Sequence, residues 1–331
     1  MKRSAILVLV LCLVAMTAIG CSNGGNAGQK NAALDYPTKE ITVIVPWNAG
    51  GANDVAARQL QPIFKEMFDV DLVIKNVAGG SSAVGITEAI NAKADGYTVG
   101  FATSTYVGLA AEGSVSSDLE GDFENICLVM EDPIAIVAKA GAYEDLNAFI
   151  EDARQRPGET VVAMSNTFGT APVYMTLLQE VADIDTNLVC FDSGSRCVTE
   201  VLGGHVEVSC SNYGDFVAQV EAGEIEVLAL MTQERSDVLP DVPTILECGY
   251  DVFGAGYIRQ MSFMMAPKGL DPEVKEVLSK MFQDACQSDA YQAFAKERSF
   301  SSPGTIGSEL DEIVAEVYNG LKLAYDKYFV E

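Results

Sequence analysis

The residues best suited to chemistry in this sequence are small ones at the ends of apolar runs. Pro46-Trp47-Asn48-Ala49-Gly50-Gly51-Ala52-Asn53-Asp54 follows Ile41–Val45 and opens into a helical pattern that carries Arg58. A glycine pair between a strand end and a helix start leaves several main-chain N–H groups unpaired and pointing outward. Such a turn holds an anion without lysine or arginine. Four further stretches occupy the same kind of place: Asn76-Val77-Ala78-Gly79-Gly80-Ser81-Ser82, Ser104-Thr105, Ser165-Asn166-Thr167-Phe168-Gly169-Thr170 and Asp192-Ser193-Gly194-Ser195. Each combines small residues with hydroxyl or amide donors. The candidate ligand contacts are Trp47, Asn48, Ala49, Gly50, Gly51, Asn53, Asp54, Gly79, Gly80, Ser81, Ser104, Thr105, Ser165, Asn166, Thr167, Gly169, Thr170, Asp192, Ser193 and Gly194.

The inventory for catalysis is thin. His205, after Gly203-Gly204, is the only histidine, which speaks against a zinc hydrolase. No GxSxG elbow, phosphate-binding P-loop or dinucleotide fingerprint occurs. Beyond Cys12 and Cys21, the cysteines are Cys127, Cys190, Cys197, Cys210, Cys248 and Cys286, none in a CxxC pair. Cys190 and Cys197 are nearest in sequence; a disulfide and buried free thiols both remain open. The expectation is a binding protein with no cofactor, no metal and no catalytic residue.

These loops need elements to position them. Strand-like runs at 41–45, 72–74, 98–102, 134–137, 161–164, 188–191, 206–210 and 227–231 alternate with helical patterns near 54–68, 82–92, 145–155, 171–183, 195–203 and 215–222. That rhythm predicts an α/β fold with largely parallel sheets. After Asp271-Pro272 only helices follow, at 272–287, 289–298 and 308–328. Pro62 should kink or split the first helix. The acidic stretch 112–124 reads as a solvated loop. Glu131-Asp132-Pro133-Ile134-Ala135 and 254–262 are the expected crossings between two domains, 36–132 with 259–331 and 133–258. Ligands of open α/β sheets sit beyond the carboxyl ends of the strands, so a solute would lie in a cleft between the domains.

Charge and the first residues bound the setting. The 331 residues hold 21 Lys+Arg against 47 Asp+Glu, a net charge of -26. That disfavours nucleic acid and charge-driven docking on an anionic membrane. Lys2 and Arg3, the apolar run to Ile19, and Gly20-Cys21 form a secretory signal at 1–20, with Cys21 as a lipid-modified anchor. An ordinary cleaved signal with an incidental cysteine is the alternative. Residues 21–35, beginning Cys21-Ser22-Asn23-Gly24-Gly25, have the composition of a flexible tether.

With these residues in view, the chain resembles a substrate-binding protein of the tripartite tricarboxylate transporter system, the Bug family. The resemblance rests on Pro46, Trp47, Gly50, Gly51, Asp54 and Arg58, on Asn76 and Gly79, and on Asp95-Gly96-Tyr97-Thr98. It continues through Gly203-Gly204 and through Pro240, Val242, Pro243, Thr244, Glu247 and Gly249. It implies a type II periplasmic-binding-protein fold, two α/β domains joined by two crossover segments around a ligand cleft. It also implies an extracytoplasmic monomer that captures a small mono-, di- or tricarboxylate and delivers it to a permease of large and small subunits. The loops matching 46–54 and 165–170 would grip the carboxylates through main chain and bridging waters. Two positions depart from the family pattern. Cys190-Phe191-Asp192-Ser193-Gly194 stands where Pro-Tyr-Lys-Gly-Gly is usual, and Lys75 stands where Glu is usual. Losing a lysine at the cleft suggests a ligand with one carboxylate, or one whose polar group uses Asp192 as an acceptor. Trp47 would either wall the cleft or pack. Loop 46–54 is expected to bind first, with 165–170 and 192–195 engaging on closure. An extracytoplasmic hydrolase and a sensory co-receptor signalling to a membrane kinase are the competing readings.

Overall fold

The computed structural model describes residues 34–119, 121–165, 167–191, 193–236 and 239–329. The expected signal, the anchor Cys21, Asn166 and Asp192 lie outside the described residues. The chain from Tyr36 forms one unit. Its first elements are β1 (Ile41–Val45), α1 (Ala52–Phe68), β2 (Leu72–Asn76), α2 (Ala83–Ile90), β3 (Thr98–Thr103), α3 (Ser104–Glu112) and β4 (Phe123–Glu131). There follow β5 (Ile134–Lys139), α4 (Leu146–Gln155), β6 (Val161–Met164), α5 (Thr170–Ala182), β7 (Asn187–Cys190), α6 (Gly194–Gly203), β8 (Val208–Asn212), a 3-10 turn (Tyr213–Asp215), α7 (Val217–Glu221) and β9 (Ile225–Leu230). The last are β10 (Met261–Pro267), α8 (Pro272–Cys286), α9 (Asp289–Glu297) and α10 (Gly307–Tyr328).

Two five-stranded sheets result, in the orders β2-β1-β3-β10-β4 and β7-β6-β8-β5-β9. Each underlies one α/β lobe. The sheets are mixed rather than largely parallel: β10 runs against β3 and β4, and β5 runs against β8 and β9. The crossings explain this correction. The chain leaves the first sheet at Glu131, the edge where β1 and β3 also end, and enters the second at Ile134. A strand entering from the carboxyl edge must oppose its neighbours. The same holds for β10, whose Ser262 pairs with Thr103 at the end of β3.

Three elements were not foreseen, and one breaks less than expected; β10 begins inside the stretch that reads as the second crossing. Residues 104–112 form α3 rather than trailing off β3, and Phe123 already belongs to β4 rather than to a loop. α1 runs unsplit through Pro62, which lies on its exposed face. There the Arg58 carbonyl that loses its partner can turn to water. One apolar cluster joins residues of both lobes, among them Ile44, Tyr106, Ile134, Tyr174 and Tyr325. α10 packs against α3, β4 and α5 and so touches both sheets' helices. No helix among the described residues is long and apolar enough to cross a membrane.

Candidate functional site

The loop after β1 is built around one carboxylate. Asp54 is 1% exposed, and its Oδ2 accepts the Gly50 N–H at 2.8 Å and Arg58 Nε at 2.9 Å. Its Oδ1 accepts Asn76 Nδ2 at 2.9 Å, and the same amide nitrogen reaches the Trp47 carbonyl at 3.0 Å. Burial works against the ionised form, but the hydrogen bonds from Arg58, the Gly50 amide and Asn76 outweigh it and hold the Asp54 pKa below the ordinary value. Asp54 is therefore an internal clasp rather than a ligand contact, and the Gly50 amide is committed to it. Gly50 sits at φ +86, a conformation that suits glycine.

The clasp holds other donors in place. Among the described residues, the N–H groups of Asn48, Ala49, Gly79, Gly80 and Ser81 have no protein acceptor. Asn48, Ala49, Gly79 and Gly80 are exposed. Gly85 lets the first two loops approach, since an added Cβ would stand 2.6 Å from the Val77 carbonyl and 2.8 Å from Pro46 Cα. Asn53 Oδ1 accepts the Ser262 hydroxyl at 2.8 Å, which ties the first loop to β10. Trp47 packs on the first sheet's core, with its indole N–H buried and without a partner. Its partly buried ring thus packs on the first lobe. Lys75 spends its charge on Glu88 of α2.

The loops of the second lobe meet the end of β3 but use their amides differently. The Ser165 N–H donates to Ser211 Oγ at 3.1 Å, and the Gly169 N–H donates to the Tyr325 hydroxyl at 2.9 Å. Gly169 approaches so closely that an added Cβ would lie 3.4 Å from Thr105 Cα. Ser104 is also committed: its hydroxyl donates to the Arg259 carbonyl at 2.8 Å and accepts the Met261 N–H at 2.9 Å. Thr170 Oγ1 reaches the same Arg259 carbonyl at 3.5 Å. The structure thus joins the loops after β1 and β2 to each other, and the loop after β6 to the start of α3. Ser193 and Gly194, at the start of α6, lie beside the 3-10 turn, where a Cβ on Gly194 would collide with the Asp215 carboxylate.

Several residues at the crossings were not singled out by sequence reasoning. Arg259 pairs with Glu131 at 3.0 Å, which links the two crossing segments. Asp132 is 4% exposed and accepts the Gly214 N–H at 3.2 Å. Burial, with Asp215 nearby, pushes its pKa well above the ordinary carboxylate value. Burial likewise raises Asp215 to about 6. A cavity of about 440 Å³ lies against these crossings and shares no residue with the loops above. The only sequence signal was the placement of an aspartate inside a crossing. His205 is exposed, with Nδ1 2.8 Å from Glu200 Oε2. The six described cysteines are free, Cys190 and Cys197 included.

Comparison with known proteins gives a uniform result. The family model described as "Tripartite tricarboxylate transporter family receptor" matches residues 56–318. BugT of Bordetella pertussis is 30% identical over 290 residues, covering 86% of this chain and 88% of that protein. Among solved structures, an R. palustris protein with adipate superposes with a TM-score of 0.78 at 23% identity, over 88% of this chain and 98% of that one. MatC from Rhodopseudomonas palustris with bound malate gives 0.77 at 21% identity, over 87% and 99%.

Proposed function

The chain belongs to the tripartite tricarboxylate transporter receptor family, and on that footing we propose that it captures a small carboxylate and delivers it to a permease of large and small subunits. The family is a class of solute-binding receptors that work outside the cytoplasm. The proposed organisation is a signal at 1–20, a lipid on Cys21, a tether to residue 35, and lobes 36–132 with 259–331 and 133–258. The protein acts as a monomer, without cofactor and without catalysis.

The observation that carries this reading is the set of exposed, acceptor-less amides at Asn48, Ala49, Gly79 and Gly80. They sit beside Asp54, whose charge is already matched by Arg58 and bonded by the Gly50 amide and Asn76. Hydrogen bonds to a charged group contribute about 1.5–3 kcal/mol each. Three or four of them approach the roughly 8 kcal/mol of a micromolar complex. Malate and adipate in the two R. palustris proteins support the ligand class. A thermal-shift panel of mono-, di- and tricarboxylates tests it. A true ligand at 100 times its dissociation constant adds about 2.7 kcal/mol of stability. A panel in which no carboxylate raises the melting temperature contradicts the proposal.

A further inference from the structure

The cavity at the crossings has a chemistry of its own. Its volume of about 440 Å³ falls in the range of small-molecule sites. Glu131, Asp132, Thr232, Glu234, Tyr257 and Arg259 are among its walls. Both crossing segments and the loop after β9 contribute, so an occupant touches all three.

The wall is richer in acceptors than in free cations. Arg259 has its charge matched by Glu131 at 3.0 Å. Glu234 is exposed and has no ion-pair partner among the described residues. Asp132 is more than nine-tenths buried; Oδ1 takes the Gly214 N–H, while Oδ2 receives no hydrogen bond from any described residue. Thr232, 8% exposed, has a hydroxyl without a partner among the described residues. A buried carboxyl with a vacant acceptor oxygen, beside a further orphan oxygen, calls for a donor-rich ligand. The remaining wall, with Ile134, Met231 and Tyr257, suits a short apolar chain. Arg259 Nε, also without a partner, suits a hydroxyl on the same molecule.

We infer that this cavity binds a small organic ammonium ion, with the cation on Asp132 and its carbon chain against Met231 and Tyr257. The charged and titratable groups around Asp132 are Glu131 and Arg259 on the crossings, Tyr213 and Asp215 on the 3-10 turn, and Glu234 on the loop after β9. Burial and Asp215 favour the protonated carboxyl at Asp132, whereas an ammonium on its oxygen favours the ionised form, so binding is linked to proton release to solvent. Affinity therefore rises with pH while the ligand stays charged.

Titration calorimetry of the folded protein with 3-amino-1-propanol, at pH 6 and pH 8, tests this. Propan-1-ol and propionate serve as matched neutral and anionic probes. The expected result is saturable binding of the amine, about tenfold or more tighter than either control, as a single charge-assisted hydrogen bond implies, and tighter at pH 8. Asp132→Asn keeps an acceptor for the Gly214 N–H and removes the charge, and should abolish the preference. Thr232→Val removes a hydroxyl with no partner in the fold, so it should stay folded and bind the amine several-fold more weakly. Saturating carboxylate in the cleft should leave amine binding in place. Equal binding of propan-1-ol, no binding of the amine, or unchanged binding in a folded variant of either kind overturns the inference.

Discussion

The loop after β1 and the loop after β6 carry similar residues, yet they stand in opposite states. In the first, a buried carboxylate from the loop's own helix completes the turn, and the amides beyond it face outward without acceptors. In the second, the amides of Ser165 and Gly169 are already bonded to Ser211 and Tyr325. The first is prepared for an anion; the second must exchange partners to reach one. On the proposed function, a ligand would meet the first lobe before the second, and closure would draw on the contacts that the second lobe adds.

The largest expected effect comes from breaking the first loop's clasp. Asp54→Ala leaves Asn76 and the Gly50 amide without their acceptor, and should cost about 2–3 kcal/mol in urea unfolding. Carboxylate affinity should fall about tenfold or more in the same variant, because the open amides lose their frame. Unchanged affinity would mean that the first lobe is not where the ligand is gripped.

Ser104→Ala cuts the link from α3 to the second crossing. It leaves the Met261 N–H unpaired in a buried place and should cost about 1–3 kcal/mol. Denaturant melts report this directly. Its effect on affinity should be smaller than that of Asp54→Ala, since no open amide depends on it.

Asp215 and Asp54 should also answer pH with opposite signs. Asp215 in the second lobe holds its proton to about 6 when folded, against roughly 4 when unfolded. The folded state therefore binds more protons between these values. The resulting stability is fully present below the unfolded pKa and is lost as pH rises through the folded one. Asp54 in the first lobe has a lowered pKa, so its contribution is present above the unfolded value and is lost as pH falls through the folded one. Melting temperatures across pH 3–8 should show both limbs. Asp215→Asn should reduce the upper limb, to which buried Asp132 also contributes, and leave the lower limb unchanged.

The smallest change sharpens the comparison. Tyr325→Phe frees the Gly169 amide, costs about 1 kcal/mol of stability, and should tighten carboxylate binding a few-fold. If binding weakens instead, the tyrosine holds Gly169 in the ligand-bound arrangement, and the second loop is as prepared as the first.

Much of this was legible from residue order. Strand ends followed by glycine and hydroxyl residues placed the loops after β1, β2 and β6, because local turn chemistry and apolar periodicity decide those features. What was hidden depends on partners far away in sequence. Nothing local to Asp54 and Gly50 reveals that Asn76 completes their clasp. The amide of Gly169 looked free because Tyr325, 156 positions on, takes it. α3 was missed because Ser104-Thr105 reads as a strand end until the helix buries both. The antiparallel β5 and β10 follow from the direction in which a returning chain enters a sheet, which periodicity alone does not encode. Trp47 was undecided in sequence, and the structure shows its ring partly buried against the first core.

Amide-resolved NMR during titration with malate or adipate tests the central claim most directly. The account predicts that the Asn48, Ala49, Gly79 and Gly80 N–H resonances shift downfield with a common dissociation constant, while the Gly50 N–H, held by Asp54, moves little. Saturable binding with these four signals unmoved would contradict it.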